Sequence, residues 1–184
     1  MIGFSMVLIL LQSLFFTRAS LGRVHWQRPD EGWVCRNTDG AVFSSTGIRF
    51  VGGVFHANDG NWILGFNKSI GVTQPLQSEL WAIFTGLHIA RDNGFDRLLI
   101  QSDNLEAIKR LNASTVESDV NDIVRAIDRL KNAGCATMFQ WIPYKENKLA
   151  DAIAKLDTSY DLSLLVDPHT LLLPLLISDS SSSM

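Results

Sequence analysis

The chain has 184 residues, of which 46% are hydrophobic, and its formal net charge at pH 7 is −3. This length predicts one domain with additional terminal segments, and the apolar content is sufficient for a buried core. The weakly acidic balance argues against a histone-like or generic electrostatic binder. The two cysteines, Cys35 and Cys135, have no CxxC spacing. They indicate neither a zinc motif nor a disulfide framework, and they favour a reduced intracellular protein.

The first residues carry an apolar segment. Residues 2–16 (IGFSMVLILLQSLFF) contain no charged side chain. They are short for a bilayer span, and they match the core of a signal peptide in length but lack its basic n-region. A signal or anchor, a helix that packs on something absent here, and a truncated or misassigned N-terminus all stay open. Membrane contact is expected only if residues 1–16 are retained as an anchor, and a nuclear or cytoplasmic location is favoured over secretion.

The first half of the chain predicts three antiparallel strands. Strand-forming residues at 34–42, 47–57 and 62–69 are separated by turn residues, and Asn58-Asp59-Gly60 is a strong hairpin turn. The pair Gly52-Gly53 predicts a bulge or a close approach of another backbone. These strands are neighbours along the chain, so we expect a meander.

The second half alternates between helical and strand patterns. Apolar residues at helical spacing predict helices over 76–90, 103–111, 118–132 and 147–156, and apolar runs predict strands over 97–101 and 136–142. This alternation after a meander predicts an α/β fold in which helices cover a mixed sheet. We expect the domain to span 25–158, between the N-terminal segment 1–24 and a C-terminal tail at 159–184.

Four carboxylates lie in four separate predicted elements: Asp39, Glu79, Asp103 and Asp151. Each has a structural alternative. Asp39 precedes a glycine as turn aspartates do, and Glu79 could be a solvated helix residue. Asp103 could cap a helix, and Asp151 suits the first turn of a helix.

Taken together, the four acids indicate a metal site. Massed carboxylates repel one another and lose hydration, which a fold tolerates when cations neutralise them. Hard oxygen ligands of this kind suit Mg²⁺ or Mn²⁺. Two such ions can activate water and stabilise the leaving oxygen of a phosphodiester displacement.

Several motifs in order resemble the type 1 ribonuclease H-like domain. They are GWVCRNTDGAV, GGV followed by DGNWILGF, LQSELWAIFTGLHIARDNG, LLIQSDN and ENKLADAIAKL. The resemblance runs from about Trp26 to Leu156 and is to the plant version found with non-LTR retroelement reverse transcriptases. It implies a five-stranded mixed sheet, with three antiparallel strands followed by two parallel ones. It also implies endonucleolytic hydrolysis of the RNA strand of RNA–DNA hybrids, which leaves a 3′-hydroxyl and a 5′-phosphate.

The resemblance also implies roles for single residues. Asp39 and Asp103 would be the core metal ligands, Glu79 would complete one metal site near the RNA ribose, and Asp151 would hold the second ion with water. Two Mg²⁺ ions are implied, for which Mn²⁺ can substitute, with no small-molecule cofactor. The implied partner is an RNA–DNA hybrid or another nucleic acid, and a monomer is expected. The residues implied to contact nucleic acid are Gly40, Ser78, Asn104 and Asn147.

The chain departs from the family just before its last predicted helix. Many relatives have a histidine there that assists turnover, whereas residues 141–147 (WIPYKEN) contain none. The alternative function is therefore a catalytically weak or inactive module, derived from a retroelement, that binds nucleic acid or a protein. Core packing is favoured over stacking on bases for the tryptophans Trp33, Trp62, Trp81 and Trp141.

Overall fold

The computed structural model describes residues 29–43, 45–113, 121–156 and 161–176. The apolar segment 2–16 and the first residues of the helix predicted over 118–132 lie outside these ranges. Six strands and four α-helices follow one another within them. Their bounds are β1 Val34–Val42, β2 Arg49–His56, β3 Trp62–Gly71, α1 Pro75–Asp92, β4 Arg97–Ser102, α2 Leu105–Leu111, α3 Asp122–Lys131, β5 Ala136–Trp141, α4 Lys148–Ala154 and β6 Ser163–Leu165, with 3₁₀ turns at Tyr144–Glu146 and Thr170–Leu172.

The strands form one mixed sheet in the order β5-β4-β1-β2-β3-β6. Antiparallel pairing joins β1, β2 and β3, and parallel pairing joins β1 to β4 and β4 to β5, so the predicted five strands are confirmed. The predicted number of strands is wrong by one. Residues assigned to the tail contribute β6, which pairs antiparallel with β3. Because β6 has three residues, it shows no alternating pattern long enough to identify in the sequence.

Apolar side chains pack on both faces of the sheet. The larger cluster lies between the sheet and the helices α1, α2 and α3. The smaller one joins β2 to α4 and to the C-terminal segment through Val54, Leu149, Ile153 and Leu172. Among the helices of the described residues, none has the length and apolar character that crossing a bilayer requires.

The adjacent glycines of β2 permit close packing on both faces. A Cβ at Gly52 would overlap the backbone of Ala154 in α4, and one at Gly53 would lie 2.5 Å from the ring of Phe66. The predicted close approach is therefore confirmed. The β1–β2 register runs through both glycines without interruption, and the register shifts between β2 and β3 lie near the two ends of β2. The close contact with α4 matters for the site, because α4 carries one of the four acids.

A guanidinium lies inside the larger apolar cluster. Arg36 is fully buried and donates hydrogen bonds to the carbonyl oxygens of Ala82 (3.2 Å) and Ile83 (3.1 Å) in α1. It lies 5.8 Å from the ring centroids of both Phe55 and Phe66. Burial lowers the pKa of Arg36 to about 9. No carboxylate pairs with it in the part of the chain that the structure describes.

Candidate active site

Three of the predicted acids meet at one place. Asp39 lies within β1, Glu79 lies in α1, and Asp103 directly follows β4, the parallel neighbour of β1. Each offers a carboxylate oxygen, and these three oxygens lie within 4.8 Å of one another. Residues far apart in the chain are thus brought together by the pairing of β1 with β4 and by the packing of α1 on the sheet.

Glu79 is held in place by two donors. The backbone N–H of Gly40 donates to Oε1 (3.3 Å), and the hydroxyl of Ser102 donates to Oε2 (3.4 Å). The side chain is 7% exposed, so its position on the inner flank of α1 is confirmed. A Cβ at Gly40 would lie 2.6 Å from the Oγ of Ser78, so a glycine here lets α1 approach β1 closely enough to bring Glu79 beside Asp39.

Asp151 joins the other acids from the opposite face of the sheet. Its carboxylate lies near that of Asp39, and its presence raises the pKa of Asp39. The Nζ of Lys155, one helical turn later, lies 2.6 Å from Oδ1 and 2.8 Å from Oδ2. The hydroxyl of Tyr144 donates to Oδ2 (3.3 Å). The fourth acid therefore reaches the cluster, but in this structure it is paired with a cation of its own helix.

Asn147 links the elements that carry three of these acids. It is 1% exposed and immediately precedes α4. Its Nδ2 donates to the carbonyl oxygen of Thr38 (2.9 Å), and its side chain lies near Asp103, where it lowers the pKa of that carboxyl against the larger effect of burial. Its Oδ1 is buried and has no hydrogen-bond partner among the described residues. These contacts favour a positioning role for Asn147 over direct contact with nucleic acid.

The cluster is electrostatically strained without a cation. Burial raises the pKa of Asp39 to about 8, and repulsion from Asp103 and Asp151 adds to the effect. Burial also raises the pKa of Glu79 well above its usual value, with Asp39 and Asp103 contributing. Burial raises the pKa of Asp103 as well. Such a set must bind protons or a cation, and its all-oxygen chemistry fits Mg²⁺ or Mn²⁺.

Two of the other predicted contact residues have structural roles. Ser78 is fully buried, and its hydroxyl donates to the carbonyl oxygen of Pro75 (2.7 Å). Asn104 is the N-cap of α2, and its Oδ1 accepts from the N–H of Ala107 (2.9 Å). The capping alternative considered for Asp103 is therefore wrong, because the neighbouring asparagine takes that role. Contacts of Gly40, Ser78, Asn104 and Asn147 with nucleic acid remain predictions.

Two side chains near the site were not recognised in the sequence, and the environment of a third was predicted wrongly. Lys155 and Tyr144 contact Asp151, and the spacing of four residues between Asp151 and Lys155 on a predicted helix could have revealed the ion pair. Trp81 is 38% exposed, so the prediction of core packing is wrong for it. Its ring packs edge-on against Phe84 at 5.4 Å, and both line an open groove between α1 and α3.

Comparison with known proteins identifies relatives of this domain. A proposed ribonuclease H protein of Arabidopsis thaliana is 28% identical over 148 residues, which cover 80% of this chain and 23% of that protein. The chain thus spans about a quarter of the length of this relative. Ribonuclease H1 from Halobacterium salinarum is 29% identical, with a TM-score of 0.56, and the match covers 66% of this chain and 94% of the archaeal one.

A second solved structure, LC11-RNase H1 in complex with an RNA/DNA hybrid, shares the fold. It has a TM-score of 0.58 at 20% identity, and the match covers 65% of this chain and 92% of that one. Residues 37–157 match the family described as reverse transcriptase-like. That range includes all four acids and every strand from β2 to β5. The chain therefore belongs to the reverse transcriptase-like family, and its domain has the ribonuclease H-like fold.

Proposed function

We propose that this protein is a divalent-metal-dependent endonuclease that hydrolyses the RNA strand of RNA–DNA hybrids. The observation that carries the proposal is the convergence of Asp39, Glu79 and Asp103, whose oxygens lie within 4.8 Å of one another, with Asp151 against Asp39. The ribonuclease H-like fold and the relatives named as ribonucleases H support the same activity.

The reaction is the attack of a water oxygen on phosphorus while the bond from phosphorus to the 3′ oxygen breaks. That oxygen takes up a proton, so the products carry a 3′-hydroxyl and a 5′-phosphate. Asp39, Glu79 and Asp103 would hold one Mg²⁺, and Asp39 and Asp151 a second. When bound, the ions supply an activated water and charge stabilisation at the leaving oxygen.

The chain's own groups orient this site. Gly40 and Ser102 each donate to one oxygen of Glu79, and these two contacts orient the carboxylate toward the cluster. The indole N–H of Trp141 donates to the carbonyl oxygen of Asp103 (3.0 Å) and holds the backbone where β4 ends. Because these donors lie on β1, β4 and β5, the sheet itself sets the spacing of the acids.

The groove between α1 and α3 has a volume of about 840 Å³ and borders α1, the helix that carries Glu79. Polar side chains of Thr73, Gln74 and Gln77 line it together with the exposed ring of Trp81. Hydroxyl and amide groups can bind phosphate and sugar oxygens, and an exposed indole can stack on a base or sugar. We place one strand of the hybrid in this groove. Trp81→Ala should therefore raise KM more than it lowers kcat.

The proposal is tested with the full chain and an end-labelled RNA–DNA hybrid, with Mg²⁺ or Mn²⁺ added. We expect cleavage of the RNA strand with either metal and none in EDTA. Asp39→Asn and Asp103→Asn should abolish cleavage, whereas Asp96→Asn, an exposed aspartate outside the cluster, should cut like the parent protein. An intact hybrid in both metals, with the parent protein folded by circular dichroism, would refute the nuclease assignment.

Two observations favour the alternative of a nucleic-acid-binding module. The side chain that many relatives supply as a histidine before the last helix is absent here, and Asp151 is already paired with Lys155. Fluorescence anisotropy with the labelled hybrid separates the two functions. Binding at micromolar protein without any cleavage in Mg²⁺ or Mn²⁺ would select the binding module.

A further inference from the structure

The ion pair on α4 places a cation beside the candidate metal site. Both oxygens of Asp151 lie within 2.8 Å of the ammonium nitrogen of Lys155. The aspartate side chain is 17% exposed, whereas the lysine side chain is 56% exposed. The ammonium group therefore reaches the acid from the solvent side and is free to move away from it along the open surface.

The same two oxygens are the ones that a second divalent ion would need. Asp151 lies near Asp39, so an ion shared by these two carboxylates would lie beside the ammonium group that contacts both oxygens of Asp151. Two cations at this separation repel one another, and the lysine also occupies lone pairs of its acceptor. The hydroxyl of Tyr144, the other donor to Asp151, is neutral and brings no such repulsion.

We propose that Lys155 is a tethered counter-ion that competes with the second metal ion for Asp151. This inference rests on the proposed function, because it assumes that the acid cluster binds divalent cations. Among the described residues, Lys155 is the one cation that forms an ion pair with any of the four acids. Asp39, Glu79 and Asp103 have no such competitor, so the two ions bind with unequal affinity.

The lysine accordingly sets the metal concentration at which the site fills. With low metal, the ammonium group neutralises Asp151 and the cluster holds one ion. With higher metal, the second ion displaces the ammonium group, which then points into solvent. An exposed ion pair of this kind is worth up to about 1 kcal/mol, which is about a fivefold change in an equilibrium constant.

Calorimetric titration of the full-length, metal-free protein with Mn²⁺, without nucleic acid, tests the proposal. We expect two binding steps for the parent protein. Lys155→Gln should tighten the second step about threefold to tenfold and leave the first within about twofold. Lys155→Arg keeps the charge and should behave like the parent protein. The matched control is Lys145→Gln, which removes the same charge from an exposed residue of the neighbouring 3₁₀ turn.

Four outcomes would overturn the proposal. If Lys155→Gln and Lys145→Gln change the second step equally, the effect is one of net charge and not of competition at Asp151. If Lys155→Gln weakens the second step, the lysine supports the ion and does not compete with it. If the parent protein shows no first binding step, the metal-dependent function fails together with this inference. If the first step is normal and Lys155→Gln leaves the second step unchanged, only the competition by Lys155 is refuted.

Discussion

The buried guanidinium of Arg36 is expected to reduce the stability of this fold. Its pKa falls from 12.5 to about 9, which corresponds to about 5 kcal/mol for keeping the charged form in the core. Two hydrogen bonds to helix carbonyls at about 1.5 kcal/mol each, and two ring contacts at about 0.5 kcal/mol each, recover about 4 kcal/mol. A methionine of similar length would keep the packing and bury an apolar side chain without that penalty. Arg36→Met should therefore raise the free energy of unfolding by about 2 kcal/mol.

Thermal unfolding followed by circular dichroism at pH 7 measures this effect. We expect the Tm of Arg36→Met to rise by about 4–8 °C. Arg36→Ala serves as the control, because it removes the charge but leaves a cavity beside Gly86, which packs directly against the guanidinium. The alanine variant should gain less than the methionine variant or lose stability. A Tm of Arg36→Met several degrees below that of the parent protein would refute the reasoning and show that the guanidinium contacts outweigh its dehydration.

Four further predictions follow from single residues. Asp39 has a pKa of about 8 in the folded protein and 3.8 in the unfolded chain, so the cost of burying its charge lowers stability fully above pH 8 and fades as the pH falls towards 4. Asp39→Asn should therefore have a higher Tm than the parent protein at pH 8 in EDTA, with a smaller difference at pH 5. Burial lowers the pKa of His56 from 6.5 to about 4, so the unfolded chain is protonated first and the free energy of unfolding falls by up to about 3 kcal/mol between pH 6.5 and pH 4. His56→Gln should reduce this dependence of Tm on pH in thermal melts at acid pH. An unchanged dependence would exclude His56 as its source. Leu172 is 1% exposed, and Leu172→Ala should lower the free energy of unfolding by about 2–4 kcal/mol in urea titrations, whereas no loss would show that the C-terminal segment does not support the domain. Gly52→Ala should separate α4 from β2 and reduce hybrid cleavage more than Gly71→Ala, where the added Cβ meets no neighbouring atom and the cost is limited to backbone strain at a φ of +71°. Equal activity of the two variants would contradict this link between β2 and the site.

The helices and long strands could be predicted because their burial follows a regular period. The strand predicted over 34–42 has the observed bounds of β1, and the helix predicted over 76–90 lies inside α1. Helix ends were less certain, since capping is decided by single side chains. At α2, Asn104 and Asp103 are both suitable caps in sequence, and the backbone geometry selects Asn104.

The candidate site was predictable in its acids but not in its supporting contacts. Asp39, Glu79 and Asp103 stand out because carboxylates at flanking or strand positions are unusual where apolar neighbours are buried. Asn147 is predicted to contact nucleic acid, and the structure adds that its amide is buried and donates to the carbonyl oxygen of Thr38. A polar residue before a helix has the same appearance in sequence whether it faces solvent or braces the interior.

The amino-acid sequence by itself determined the order of the elements, the mixed sheet and the four acids, because periodicity and residue chemistry are local properties. Only the tertiary structure decided which of these residues touch. The pairing of β1 with β4, the approach of α1 permitted at Gly40, and the pairing of Asp151 with Lys155 depend on atoms distant in sequence or on side-chain conformation. The sixth strand is the same case, since three residues form β6 only because the edge of β3 offers them backbone partners.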